Sequence, residues 1–251
     1  MSSQEFASGD GSTSLSVADP PSWTVKRLFQ AGCGCDKPTR RRRGLAAAVA
    51  LTGTGLLGAS LSAKPGSREF YALTFTAAGT WLVGGLVAEP LDWSALRGEE
   101  RSFGRLVAVP VLTGAAAFGA FFGAALVARR IPVLNDALTS ALSYAERGSD
   151  SLVMATTLAN GVAEEVFFRG SVFNALGSSH PVAASTAAYV LTTSATRNPA
   201  LVLASGVMGT LFAVQRRASG GLLAPILTHV TWSALMLRYL PVVFRKPLDR
   251  A

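Results

Sequence analysis

The chain has 251 residues, 49% of them hydrophobic and only 15% charged, where an ordinary soluble domain carries about 25% charge. With 25 Gly, 2 Cys, 4 Trp and 4 Tyr, that composition excludes a disordered chain, a disulfide scaffold and a basic nucleic-acid-binding domain. A polytopic membrane protein remains, and the net charge of +8 then reads as a topology signal, because basic residues flanking apolar spans orient a chain in a bilayer.

Residues 1–43 are rich in Ser, Gly, Asp and Pro and close on Lys37 and Arg40 to Arg43. They read as a disordered tail. No apolar run precedes Trp23, so neither a cleaved signal peptide nor a lipoprotein signal at Cys33 is expected. Cys33 and Cys35 read as two reduced thiols, since a structural metal site wants four ligands. The block Arg40 to Arg43 places the tail in the cytoplasm by the positive-inside rule.

From Gly44 the character changes. Gly44 to Ala63, Phe70 to Ala88 and Leu106 to Ala128 are each almost free of charge over the roughly 20 residues that a hydrocarbon core demands. Glu89 to Arg105 is a solvated loop. Within the third span, Gly119 and Gly123 form a small-residue packing face. In Ile131 to Ala145 the apolar residues fall at helical spacing with Asn135, Asp136 and Thr139 between them, which suits an interfacial helix as well as a short span. The basic C-terminal residues Arg238, Arg245, Lys246 and Arg250 lie inside if that segment crosses and outside if it does not. Further apolar segments follow at Ser151 to Leu176, Pro181 to Thr196, Asn198 to Val214 and Ala218 to Leu237. The expected fold is an all-α transmembrane bundle of about seven or eight spans.

Glu164 and Glu165 sit in otherwise apolar sequence with Arg169 the base beside them. A carboxylate at bilayer depth costs at least ~2.5 kcal/mol, so it marks a functional site by default. On a helix Glu165 and Arg169 are i and i+4 and can pair. Glu164 points about 100° away, on the face of Asn160 and Phe168. Glu165 and Arg169 are therefore expected to be structural and Glu164 to be the unpaired, reactive group. A plainer reading stays open, in which both acids end a span at the water interface with Arg169 as an anchor. The second polar element is His229, with Ser233 one turn later on the same face and Pro225 one turn earlier, where it is expected to free a carbonyl and bend the helix. His180, beside Pro181, reads as a loop residue. A lone His on an apolar helix is more often an interhelical hydrogen-bonding group, and its occurrence beside an intramembrane Glu pair is what favours chemistry.

The run Glu164-Glu165-Val-Phe-Phe-Arg169-Gly170 resembles the EExxxR(G) motif of the CAAX prenyl protease and bacteriocin-processing (CPBP) family, also called type II CAAX or Abi proteins. The run from Gly220 through His229 to Ser233 resembles its last motif, HxxxN or a variant. The resemblance covers roughly Leu152 to Leu237. It implies a division into tail (1–43), N-terminal transmembrane helices (44–150) and protease-like core (151–244). It also implies an intramembrane endopeptidase of glutamate type acting on a membrane-associated peptide or protein, prenylated in some members. Glu164 would be the general base, Glu165 and Arg169 the structural pair, and His229 the oxyanion or water-orienting group. Two positions depart from the pattern: the middle motif, FxxxH, here reads Tyr189-Val-Leu-Thr-Thr193, and Ser233 stands for the last Asn. With His229 the one intramembrane imidazole, Glu164 and His229 fall short of the three protein ligands of a catalytic zinc, so neither metal nor other cofactor is expected. Thr193 or Asn198 would then supply further oxyanion donors, with Ser233 supporting.

Implied partners are the bilayer and a membrane-bound peptide, with no nucleic acid, and the implied location is the plasma (inner) membrane. Two alternatives remain: a catalytically inactive scaffold or immunity protein of the same fold, and a small transporter relaying protons through Glu164. No inverted repeat of broken helices supports the latter.

Overall fold

The computed structural model describes residues 40–89, 93–98, 102–175 and 179–244, all within the unit Gly34–Ala251. Most of the expected tail with Cys33 and Cys35, and the basic residues Arg245, Lys246 and Arg250, lie outside them. The described residues form helices α1 (Arg40–Ser60), α2 (Arg68–Ala88), α3 (Trp93–Arg97), α4 (Phe103–Ala128), α5 (Pro132–Glu146) and α6 (Asp150–Glu164). A π-helical segment (Glu165–Val172) and α7 (Phe173–Ala175) continue α6. Then come α8 (Pro181–Thr193), a 3₁₀ turn (Ser194–Thr196), α9 (Pro199–Ser219) and α10 (Leu223–Phe244). Arg40 to Arg43, expected to close the tail, instead form the first turn of α1, where long basic stems can run along the helix while their heads reach water.

The helix ends follow local chemistry. Ser67 caps α2 by accepting from the Phe70 amide at 3.1 Å. Asn198 caps α9 by accepting from Ala200 and Leu201 at 3.0 and 3.2 Å. Pro132, Pro181 and Pro199 occupy first turns, where no amide hydrogen is needed. Gly220 ends α9 in the left-handed region, φ 68°, with its amide donating to Arg216 O at 3.1 Å. Pro225 lies in the first turn of α10, so it removes no internal hydrogen bond and the expected bend has no cause there.

Four helices, α2, α4, α9 and α10, are each long and apolar enough to cross a bilayer. Their outward faces carry Val83, Val87, Val109, Leu112, Leu203 and Val207 in the open. The outward hydroxyls of Thr76, Thr80 and Thr113 fold back onto the carbonyl four residues earlier, at 2.7–2.8 Å, which satisfies them without water. This is an all-α membrane bundle. At 15 residues, or about 22 Å, α5 is short of the hydrocarbon thickness, which both the interfacial and the short-span readings allow.

The most extensive packing is α10 on α4 and α2 on α1. Gly114 lets α4 and α10 approach, since a Cβ there would stand 2.8 Å from Thr228 O. At that crossing Thr228 Oγ1 donates to Pro110 O at 3.0 Å and accepts from Gln215 Nε2 at 2.8 Å, tying α4, α9 and α10 together. On the other side Trp81, fully buried, packs against Phe167 and Phe168 with ring centroids 4.9 and 5.3 Å away. Gly53 of α1 lies against the Trp81 ring so closely that any Cβ would overlap it. Because Trp81 has no room to retreat, Gly53→Ala is expected to destabilise the protein by about 1–3 kcal/mol, read as a lower melting temperature in detergent micelles.

Candidate active site

The acid pair falls where α6 passes into the π-helical segment. A π turn closes hydrogen bonds between residues five apart, so it is wider than an α turn and brings residues four or five apart onto one face. Glu165 and Arg169 meet across that turn, Arg169 Nη1 to Glu165 Oε1 at 3.1 Å, both fully buried. The altered ladder leaves carbonyls for side chains of neighbouring helices. Ser185 Oγ donates to Phe168 O at 2.8 Å and Arg216 Nε to Arg169 O at 3.0 Å. Ser171 Oγ donates outward to Gly85 O at 2.7 Å. The segment is thus pinned from α8, α9 and α2.

Arg169 is held at both terminal nitrogens and over both ring faces, while its Nε has no partner among the described residues. Its Nη2 donates to Gly209 O at 3.0 Å, and its guanidinium lies 4.6 Å from the Tyr189 ring centroid and 5.2 Å from that of Phe212. A planar cation between two aromatic faces suits a buried site better than a lysine would.

The structure gives Glu165 a second task that the sequence did not signal. His229 Nδ1 lies 2.8 Å from the same Oε1 that Arg169 holds. An ionised carboxylate only accepts, so Nδ1 carries the hydrogen and the ring orientation is fixed. Phe212 stacks on the imidazole, centroids 4.6 Å apart and planes 19° apart, and Gly161 of α6 flanks it, where a Cβ would make an ordinary contact at 3.4 Å.

Glu164, expected from sequence to be the unpaired acid, has no ion-pair partner among the described residues, but it is hydrogen-bonded at both oxygens. Its Oε1 accepts from Asn160 Nδ2 at 2.5 Å and its Oε2 from the Tyr189 hydroxyl at 2.7 Å. The physical reason is the helix turn itself: Asn160 stands one turn before Glu164, and α8 crosses on its other side. Phe168, placed on the same face by spacing, instead packs into the cluster with Trp81 and Tyr189.

Glu164, His229, Ser233, Asn160 and Asn198 line one cavity of about 430 Å³, together with an apolar lobe that includes Phe121, Leu138 and Leu240. Glu165 and Arg169 stand behind it. Thr193 is not among the lining residues: its hydroxyl donates to Tyr189 O at 2.9 Å within its own helix, so it has no hydrogen left for an oxyanion. Asn198, the other expected donor, has its oxygen on the α9 amides and its Nδ2 donating to Ala137 O at 2.8 Å. The placement of Thr193 at the cavity is corrected, because a carbonyl of its own helix took its hydroxyl; Asn198 lines the cavity and keeps its second Nδ2 hydrogen. Two lining residues keep buried polar atoms without a partner, Asn160 Oδ1 and Trp232 Nε1.

Sequence reasoning missed Tyr189 as a site residue, although its place at the head of the middle motif put it on the page. It also missed Asn160 as a hydrogen-bond donor, despite placing it on the right face.

Residues 149–235 match the family model for type II CAAX prenyl endopeptidase, Rce1-like proteins. The match supports membership of the CAAX protease family for this part of the chain. The match spans both glutamates, Arg169, Tyr189, Thr193, His229 and Ser233, and its bounds agree with the resemblance read from the motifs. At family level that match supports CAAX-type intramembrane proteolysis. With four helices among the described residues long and apolar enough to cross a bilayer, the chain is an integral membrane protein. Neither the curated proteins nor the solved structures offer a match.

Proposed function

We propose that this protein is an intramembrane endopeptidase of glutamate type, hydrolysing a peptide bond in a membrane-associated, prenylated peptide. The observation that supports it is the opening of Glu164 and His229 onto one largely apolar cavity, with the Glu165–Arg169 pair sealed behind them. In this reading Glu164 takes the proton of a water lodged in the cavity. His229, held through Nδ1 by Glu165, turns Nε2 toward that water as an acceptor, so its task is to orient water rather than to bind the oxyanion. The apolar lobe receives the lipid or apolar side chains of the substrate. The protein would sit in the plasma (inner) membrane with its N-terminus in the cytoplasm, which the Arg40 to Arg43 block supports.

A second reading, an inactive scaffold of the same fold, is favoured by one observation: Thr193 stands in the middle motif with its hydroxyl turned onto its own helix. One experiment separates them. The purified protein in liposomes is given a farnesylated peptide ending in a CAAX sequence, and products are identified by mass spectrometry. The enzyme reading expects cleavage that Glu164→Gln removes. The scaffold reading expects none from the wild type and its appearance in Thr193→His.

A further inference from the structure

We infer that Tyr189 is a positioning residue for Glu164, delivering from α8 the hydrogen bond that position 193 does not supply; the catalytic part of this inference rests on the function proposed above. Tyr189 is 9% exposed and lies outside the cavity wall. Its hydroxyl ends 2.7 Å from Glu164 Oε2, and a buried phenol needs such a partner. The ring cannot swing away. Arg169 lies over it at 4.6 Å, Phe168 meets it edge-on at 5.0 Å, and Gly209 backs it so tightly that a Cβ there would stand 3.0 Å from its Cδ1.

The consequence is a carboxylate fixed at both ends. Tyr189 holds Oε2 from the protein side and Asn160 holds Oε1 from the cavity side. With Oε2 anchored, Oε1 is the atom that meets a water in the cavity. Thr193 stands one turn after Tyr189 on the same face of α8, and its hydroxyl bonds the Tyr189 carbonyl, so that turn of α8 reaches Glu164 through the phenol. Since Tyr189 does not touch the cavity, it acts through Glu164 by hydrogen-bonding the charged form of the carboxyl and keeping it aimed.

The test uses the full-length protein in liposomes and the variant Tyr189→Phe, which keeps the ring beneath Arg169 and removes the hydroxyl alone. Dicyclohexylcarbodiimide, an apolar reagent that attacks protonated carboxyl groups, is added at pH 7, and the adduct on Glu164 is followed by peptide mass spectrometry. Loss of a hydrogen bond to the charged form is expected to speed labelling of Glu164 about tenfold. Glu164→Gln supplies the blank. This arm needs no activity, so it stands whether or not the protein is a protease. In the second arm, hydrolysis of the farnesylated peptide by Tyr189→Phe is expected to lose about tenfold in kcat at unchanged KM. Equal labelling in wild type and variant overturns the inference. Faster labelling with unchanged kcat overturns its catalytic part. If Tyr189→Phe does not fold, 3-fluorotyrosine at position 189, a stronger donor of nearly the same size, decides: slower labelling supports the inference and equal labelling removes it.

Discussion

Glu164→Gln is expected to fold as well as wild type and to lose cleavage of a farnesylated peptide by at least about 10²- to 10⁴-fold, the range that a positioned general base supplies. The folding half follows from the hydrogen bonds. The carboxylate now accepts from Asn160 Nδ2 and from the Tyr189 hydroxyl. A carboxamide offers one acceptor and one donor group, so one of these two contacts would become donor against donor. Asn160 removes the conflict by turning its amide over, because its Oδ1 has no partner in the present structure and would accept from the new NH₂. Tyr189 would keep donating to the amide oxygen. No charge is stranded, since Arg169 answers to Glu165 rather than to Glu164. Circular dichroism and melting in micelles should therefore match wild type while product formation falls to background. Retention of cleavage in that variant would remove Glu164 as the base.

What could be read from the sequence and what could not divides along physical lines. Membrane helices are written in their own residues, because each must satisfy its backbone internally and present an apolar face. The runs Phe70 to Ala88 and Leu106 to Ala128 accordingly fall within α2 and α4. The pairing of Glu165 with Arg169 was legible for the same reason, being four residues apart on one strand of chain. The π turn beneath them was not, since its carbonyls are satisfied by Ser185 and Arg216, which lie in other helices.

The partners of His229 and Glu164 depend likewise on how α10 and α8 cross α6. Spacing on one helix says that Glu164 and Glu165 point apart; it does not say that His229 lands on the second glutamate and Tyr189 on the first. Thr193 illustrates the limit. Motif alignment puts it at a site position, whereas a threonine on a helix has a carbonyl of its own within reach and takes it.

Glu165→Ala is expected to cost the protein far more in folding than any change at Glu164. Glu165 Oε1 serves two groups at once, Arg169 Nη1 at 3.1 Å and His229 Nδ1 at 2.8 Å. Arg169 is 0% exposed and its ring partners Tyr189 and Phe212 offer only their faces, so removing the carboxylate leaves a guanidinium buried without a counter-charge. Breaking a buried pair in this way costs about 3–5 kcal/mol, roughly a 10²- to 4 × 10³-fold loss in the ratio of folded to unfolded protein at about 1.4 kcal/mol per factor of ten. His229 loses its orienting acceptor in the same step. Glu165→Gln separates the two contributions, because the amide oxygen still accepts from one of the two donors while the charge is gone. The expected order of melting temperatures in micelles is therefore wild type, then Glu165→Gln, then Glu165→Ala. Arg169→Met paired with Glu165→Leu should recover part of the loss, since replacing both charges by apolar groups leaves neither uncompensated. A Glu165→Ala protein that accumulates and melts like wild type would mean that water reaches the pair, and the separation of roles between the two glutamates would lose its physical basis.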